Sequence, residues 1–215
     1  MTIRELYETL TAKFGERSDP DTWWPVYYGR TVPPAFERVI TNVLVTQSDW
    51  KRVRPAADAL DRAGLLTAES LAGAEEAAIA ECAKPVGFQA SKARCLKAIR
   101  AFVVSRHGTE AAFCAGVTRE ALLSIPGVGP ETADRILLYT CGKLAWPVDT
   151  YCLRVLAHHG VIEAMPVKAA AKRLAVATIK AMVAEEEEMP GELVDWRRLH
   201  ALMQLEGESM RAGKS

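Results

Sequence analysis

The stretch Leu122-Leu123-Ser124-Ile125-Pro126-Gly127-Val128-Gly129-Pro130-Glu131-Thr132-Ala133-Asp134-Arg135-Ile136-Leu137-Leu138-Tyr139 decides how the rest of the chain is read. Its first residues form a short apolar helix that Pro126 breaks. Gly127 and Gly129 bracket one aliphatic residue, and glycine both permits positive φ and lets another backbone come close. Val128 is expected to tuck into the apolar angle between the flanking helices. Pro130 has a fixed φ and no N–H to lose, which suits the first turn of the next helix. Such a turn points its N–H groups and a helix N-terminus outward together, an anion site suited to a DNA phosphate. The plainer alternative is an αα-hairpin closed by a glycine turn.

A second informative element follows at Trp146-Pro147-Val148-Asp149-Thr150-Tyr151-Cys152-Leu153-Arg154-Val155. Asp149 ends a proline-containing loop and precedes an apolar stripe of Cys152, Val155 and Leu156. Aspartate is favoured at a helix N-cap, where its carboxylate accepts a backbone N–H. A carboxylate fixed by a helix start is also a rigid group for chemistry, so the two roles are compatible.

Around these segments, helix spacing recurs from end to end and strand signals are nearly absent. Ile3, Leu6, Tyr7 and Leu10 make one stripe; Phe36, Val39, Ile40, Val43 and Leu44 make another. Helices are expected near 50–63, 67–71, 75–83, 90–105, 118–124, 131–139, 151–159, 167–184 and 195–212. Gly64, Lys84-Pro85, Gly108, Gly142 and Gly160 are plausible stops. The segment Thr22 to Pro34 crowds Trp23, Trp24, Tyr27 and Tyr28 among prolines and a glycine, which favours an irregular loop. Many short helices with short connections define an all-α protein.

The chain has 215 residues, 49% of them hydrophobic, enough for a substantial core. Its 27 basic and 27 acidic residues cancel, which argues against a wholly basic DNA-coating protein but leaves room for a local basic face. Lys51, Arg52, Arg54, Lys92, Arg94, Lys143 and Arg154 are candidates for such a face, and Lys143 stands out because it is near both motifs in sequence. The five cysteines are scattered, without a Cys-x-x-Cys pair, so neither a disulfide framework nor a metal site is expected. With no signal-peptide pattern and no apolar run of about 20 residues, a cytoplasmic protein free of the membrane is expected.

Taken together, Ile125 to Ala133 (Ile-Pro-Gly-Val-Gly-Pro-Glu-Thr-Ala) and Val148-Asp149-Thr150 resemble the endonuclease III superfamily of helix-hairpin-helix DNA glycosylases. Val45-Thr46-Gln47 and His200-Ala201-Leu202 extend the resemblance over most of the chain. The resemblance implies two helical lobes with a DNA cleft between them and a damaged base flipped from double-stranded DNA. The helical-barrel lobe is expected at 31–143, carrying the hairpin at 118–140, and a discontinuous second lobe at 1–30 with 144–215. The family's essential aspartate falls on Asp149, and its phosphate-binding hairpin on Gly127, Val128, Gly129, Glu131 and Thr132.

Two departures narrow the expectation. Bifunctional members carry a lysine two residues after the last hairpin glycine, where this chain has Glu131. A carboxylate cannot form an imine, so strand cleavage by that route is not expected. Many members hold an iron–sulfur cluster on four closely spaced C-terminal cysteines. No cysteine lies beyond Cys152 here, so no cluster and no other cofactor is expected.

Trp23-Trp24-Pro25 and Gly129 to Asp134 look most like 3-methyladenine DNA glycosylase III and endonuclease III-related proteins. That resemblance puts Trp23, Trp24 and Glu131 in a base pocket, with core packing as the alternative for the two tryptophans. Gln47 is placed in the gap left by the flipped base, although Thr46 to Trp50 is one residue shorter than its counterparts. Lys143 is a DNA contact or a substitute amine. The expected protein is a monomeric, monofunctional glycosylase for an alkylated purine. The alternatives are an endonuclease III-like glycosylase and lyase for oxidised pyrimidines, or a non-catalytic helix-hairpin-helix DNA-binding protein.

Overall fold

Side-chain caps set where several of the helices begin in the computed structural model, which describes residues 1–15, 35–48, 50–166, 168–169, 171–173, 175–177, 179 and 193–212. Trp23 and Trp24, expected in a base pocket, lie outside the described residues. Every regular element among the described residues is helical. The sequence reading of an all-α protein holds.

Helix α1 (Ile3–Phe14) opens on a capping box in which Thr2 and Glu5 exchange side-chain and backbone hydrogen bonds. Its Ile3, Leu6 and Leu10 are buried along one face. Helix α2 (Ala35–Leu44) buries Phe36, Val39, Ile40, Val43 and Leu44, the stripe legible in the sequence. Helix α3 (Trp50–Arg62) carries Pro55 at its second turn. Then come α4 (Ser70–Gly73), α5 (Glu76–Cys82), a 3-10 turn at Lys84–Val86 and the long α6 (Gln89–Arg106).

Helix α7 (Glu110–Gly116) was not expected from the sequence. It has one large apolar residue, Phe113, and therefore no readable period. The Thr109 side chain caps it by accepting from the Ala112 N–H, and Phe113 is fully buried against the rings of Phe102 and His107. Helices α8 (Arg119–Leu123) and α9 (Pro130–Arg135) flank the glycine turn, and α9 runs on into a π-helical turn at Ile136–Thr140. The guanidinium of Arg38 donates to the Tyr139 carbonyl in that turn at 2.9 Å. Helices α10 (Thr150–His158) and α11 (Leu193–Ala212) complete the described elements.

The backbone divides into two units, Pro25–Ala145 and a discontinuous one made of Met1–Trp24 with Trp146–Ser215. The core of the first gathers α2, α3, α5, α6 and the hairpin residues Ile125 and Val128. In the second, α11 packs against both α1 and α10. Buried Glu206 of α11 ties these three together, accepting from Lys13 at 2.5 Å and from His159 at 3.2 Å. No helix among the described residues is long and apolar enough to cross a membrane.

Candidate active site

The glycine turn owes its shape to two different causes. Gly127 has φ +88°, and a β-carbon there would meet the Cys95 β-carbon at 3.0 Å and its sulfur at 3.2 Å. Conformation and close approach to α6 thus both demand glycine. Gly129 differs from the expectation: its φ is −89° and nothing lies within 4 Å of where a side chain would stand. Its lack of a side chain leaves open space beside the start of α9 instead of relieving a backbone conflict. Val128 is 7% exposed and belongs to the core, so the turn is anchored from within.

The first-turn N–H groups of α9 have no intrahelical acceptor, the general arrangement by which helix starts attract anions. Glu131 occupies that first turn, where a carboxylate suits the helix dipole. The Thr132 side chain is 4% exposed and its hydroxyl meets that of Thr46 at 3.3 Å. Asp134, 2% exposed, clamps the two hairpin helices by accepting from Arg119 Nε at 2.7 Å and Nη2 at 3.4 Å.

Beside the turn lies a pocket of about 270 Å³ lined by Val43, Thr46, Gln47, Phe88, Ser91, Lys92, Cys95, Gly127 and Thr132. Gln47 and Phe88 are the described non-glycine residues with positive φ, 52° and 49°. Both stand at this pocket. Phe88 is 64% exposed, an unusual position for a phenylalanine unless it has a partner to meet. The sequence reading passed over it. Its signal was a large apolar residue between a glycine and a helix start, just after the Lys84-Pro85 stop.

Lys92 is buried beneath this pocket and donates to the Val86 carbonyl at 3.0 Å. Burial lowers its amine to about 8. Lys143, expected as a DNA contact or substitute amine, donates to the Val117 carbonyl at 2.6 Å, which holds it against its own unit.

In the other unit Asp149 caps α10, its Oδ1 accepting from the Cys152 N–H at 2.9 Å. Its Oδ2 accepts from Gln204 Nε2 of α11, also at 2.9 Å. Buried His200 and Cys152 complete a polar cluster whose side-chain atoms lie within 4.8 Å of one another. The capping role anticipated for Asp149 is present, and the second hydrogen bond from α11 is an addition to it.

Comparison with known proteins agrees with this fold. The family model of the HhH-GPD superfamily base excision DNA repair proteins matches residues 40–179, and the chain belongs to that superfamily. A candidate DNA repair glycosylase of Methanocaldococcus jannaschii is 29% identical over 206 residues, covering 94% of this chain and 84% of the relative. The chloroplastic endonuclease III homolog 2 of Arabidopsis thaliana is 32% identical over 136 residues, 59% of this chain and 33% of that longer protein. Among solved structures, the H. pylori 3-methyladenine DNA glycosylase bound to 1,N6-ethenoadenine superposes with a TM-score of 0.76 at 24% identity, covering 99% of each chain. An endonuclease III–DNA complex gives a TM-score of 0.67 at 19% identity, covering 94% of this chain and 82% of that one.

Proposed function

We propose that this chain is a monofunctional DNA glycosylase that binds double-stranded DNA, flips out an alkylated purine such as 3-methyladenine and hydrolyses its N-glycosidic bond. The observation that carries the reading is the Asp149 carboxylate held at both oxygens, in a chain with Glu131 where an attacking lysine would stand. Cleavage of the bond develops positive charge on the deoxyribose, and a fixed carboxylate beside the sugar stabilises that charge and orients water. An N3-alkylated purine is already cationic and leaves readily, so the reaction asks little of an acid.

The hairpin supplies the grip on the backbone. The start of α9 and the open side of Gly129 receive a phosphate, which fixes register without reading sequence. Exposed Phe88 serves as the apolar wedge that parts the stack, with Gln47 beside it to fill the space the base leaves. The resemblance to a solved 3-methyladenine glycosylase agrees in fold with the alkylpurine reading. This chemistry requires no cluster, because a carboxylate and water suffice for it.

The test is base release from duplexes containing 3-methyladenine, 7-methylguanine, an oxidised pyrimidine, uracil or a mismatch. Free methylated purine with the strand left intact is expected, and Asp149→Asn abolishes release while retaining duplex binding. Excision of the oxidised pyrimidine alone, or borohydride trapping of a covalent adduct, overturns the reading.

A further inference from the structure

We infer that Gln204 is a positioning residue for Asp149, fixing its carboxylate for the reaction from the neighbouring helix; this rests on the functional reading above. Gln204 Nε2 lies 2.9 Å from Asp149 Oδ2, 3.4 Å from His200 Nε2 and 3.8 Å from Cys152 Sγ. Its amide nitrogen therefore fills the space among the three groups. That nitrogen has two hydrogens and no lone pair to offer. One hydrogen goes to the carboxylate, and the other is left for His200 Nε2 and Cys152 Sγ.

Two consequences follow from this donor count. His200 Nε2 can accept from the amide only in the tautomer that carries its ring proton on Nδ1. The amide also cannot be turned over without setting its carbonyl oxygen against the carboxylate. His200, fully buried one helical turn before Gln204, thus locks the amide, and the amide locks Asp149 Oδ2.

The cap alone fixes only one carboxylate oxygen, from the Cys152 N–H to Oδ1. A carboxylate held at one oxygen still swings about its Cβ–Cγ bond. The bond from Gln204 to Oδ2 removes that freedom. The geometry demands the approach of α11 to α10, which Gly207 permits by taking the Tyr151 ring against its bare α-carbon.

The experiment measures single-turnover release of methylated purine from alkylated duplex, together with duplex Kd and melting, for Gln204→Met, Gln204→Glu and Asp149→Asn. Methionine keeps the length and packing but cannot donate; its rate is expected to fall about ten-fold or more, with Kd within two-fold. Glutamate keeps the shape and sets a carboxylate against Asp149, so its rate falls further. A side chain that merely packed would lose rate only in step with melting temperature. Wild-type rate in either variant overturns the inference, as does a loss of rate matched by an equal loss of binding. Should the methionine variant not fold, the isosteric glutamate variant decides by the same criteria. Loss in Asp149→Asn with full rate in both Gln204 variants sinks the positioning role alone, whereas full rate in Asp149→Asn sinks the functional reading itself.

Discussion

The Tyr151 ring occupies the space in which a side chain on Gly207 would stand: a β-carbon there would lie 2.9 Å from Tyr151 Cβ and 3.0 Å from Cγ. Tyr151 follows Asp149 by two residues and Gly207 follows Gln204 by three, so one close contact governs whether the carboxylate and the amide meet.

Gly207→Ala is expected to push α10 and α11 apart. Overpacking costs about 1–3 kcal/mol and outweighs the usual helix gain of alanine over glycine, roughly 1 kcal/mol. The net cost of up to about 2 kcal/mol should lower thermal melting by up to about 8 °C for a chain of this size. The single-turnover rate should fall more than duplex affinity. A variant as stable and as active as the wild type would show that the helices are free to part without loss.

Phe88→Ala is expected to remove the wedge while leaving the phosphate grip of the hairpin untouched. Affinity for undamaged duplex should change little. Excision from a fully stacked duplex should drop by one to two orders of magnitude, since unstacking costs a few kcal/mol. The same lesion placed opposite an unpaired gap should be less affected. Equal losses on both substrates would count against a wedge.

Lys92 gives a pH signature. Its amine is lowered by burial from 10.5 to about 8, so the folded chain releases this proton before the unfolded chain does. Between about pH 8 and 10.5 the unfolded state therefore binds more protons, and stability contributed by this site rises with pH. Lys92→Met lacks that rise. Denaturant melts should show the difference between the two proteins move toward the wild type by up to about 3 kcal/mol across this interval. A difference that stays flat with pH would mean that the amine is not desolvated.

Much of this was legible before any coordinates. Pro126, Gly127 and Pro130 mark the hairpin through covalent limits that tertiary context seldom overrides, and Asp149 marks a helix start for the same kind of reason. Gln204 was not legible, because a glutamine on a long helix reads as a solvated position until the facing helix is known. Phe88 was missed for the opposite reason: apolar residues are expected inside, and only coordinates reveal one that is not. The contact between the Thr132 and Thr46 hydroxyls was not legible either, because it joins residues far apart in the sequence. The cause of Gly129 was also misjudged, since a sequence does not distinguish a glycine bent by its backbone from one that keeps a space clear.

The left-handed backbones of Gln47 and Phe88 have a further meaning. Each carries strain on the order of 1 kcal/mol that the surrounding fold has to hold. Fixed in that way, the two tips resemble a die and not a glove. On the proposed reading, a rigid die leaves deformation to the duplex, so base pairs that open easily yield to it first, and how soft a site in the double helix is becomes part of how it is recognised.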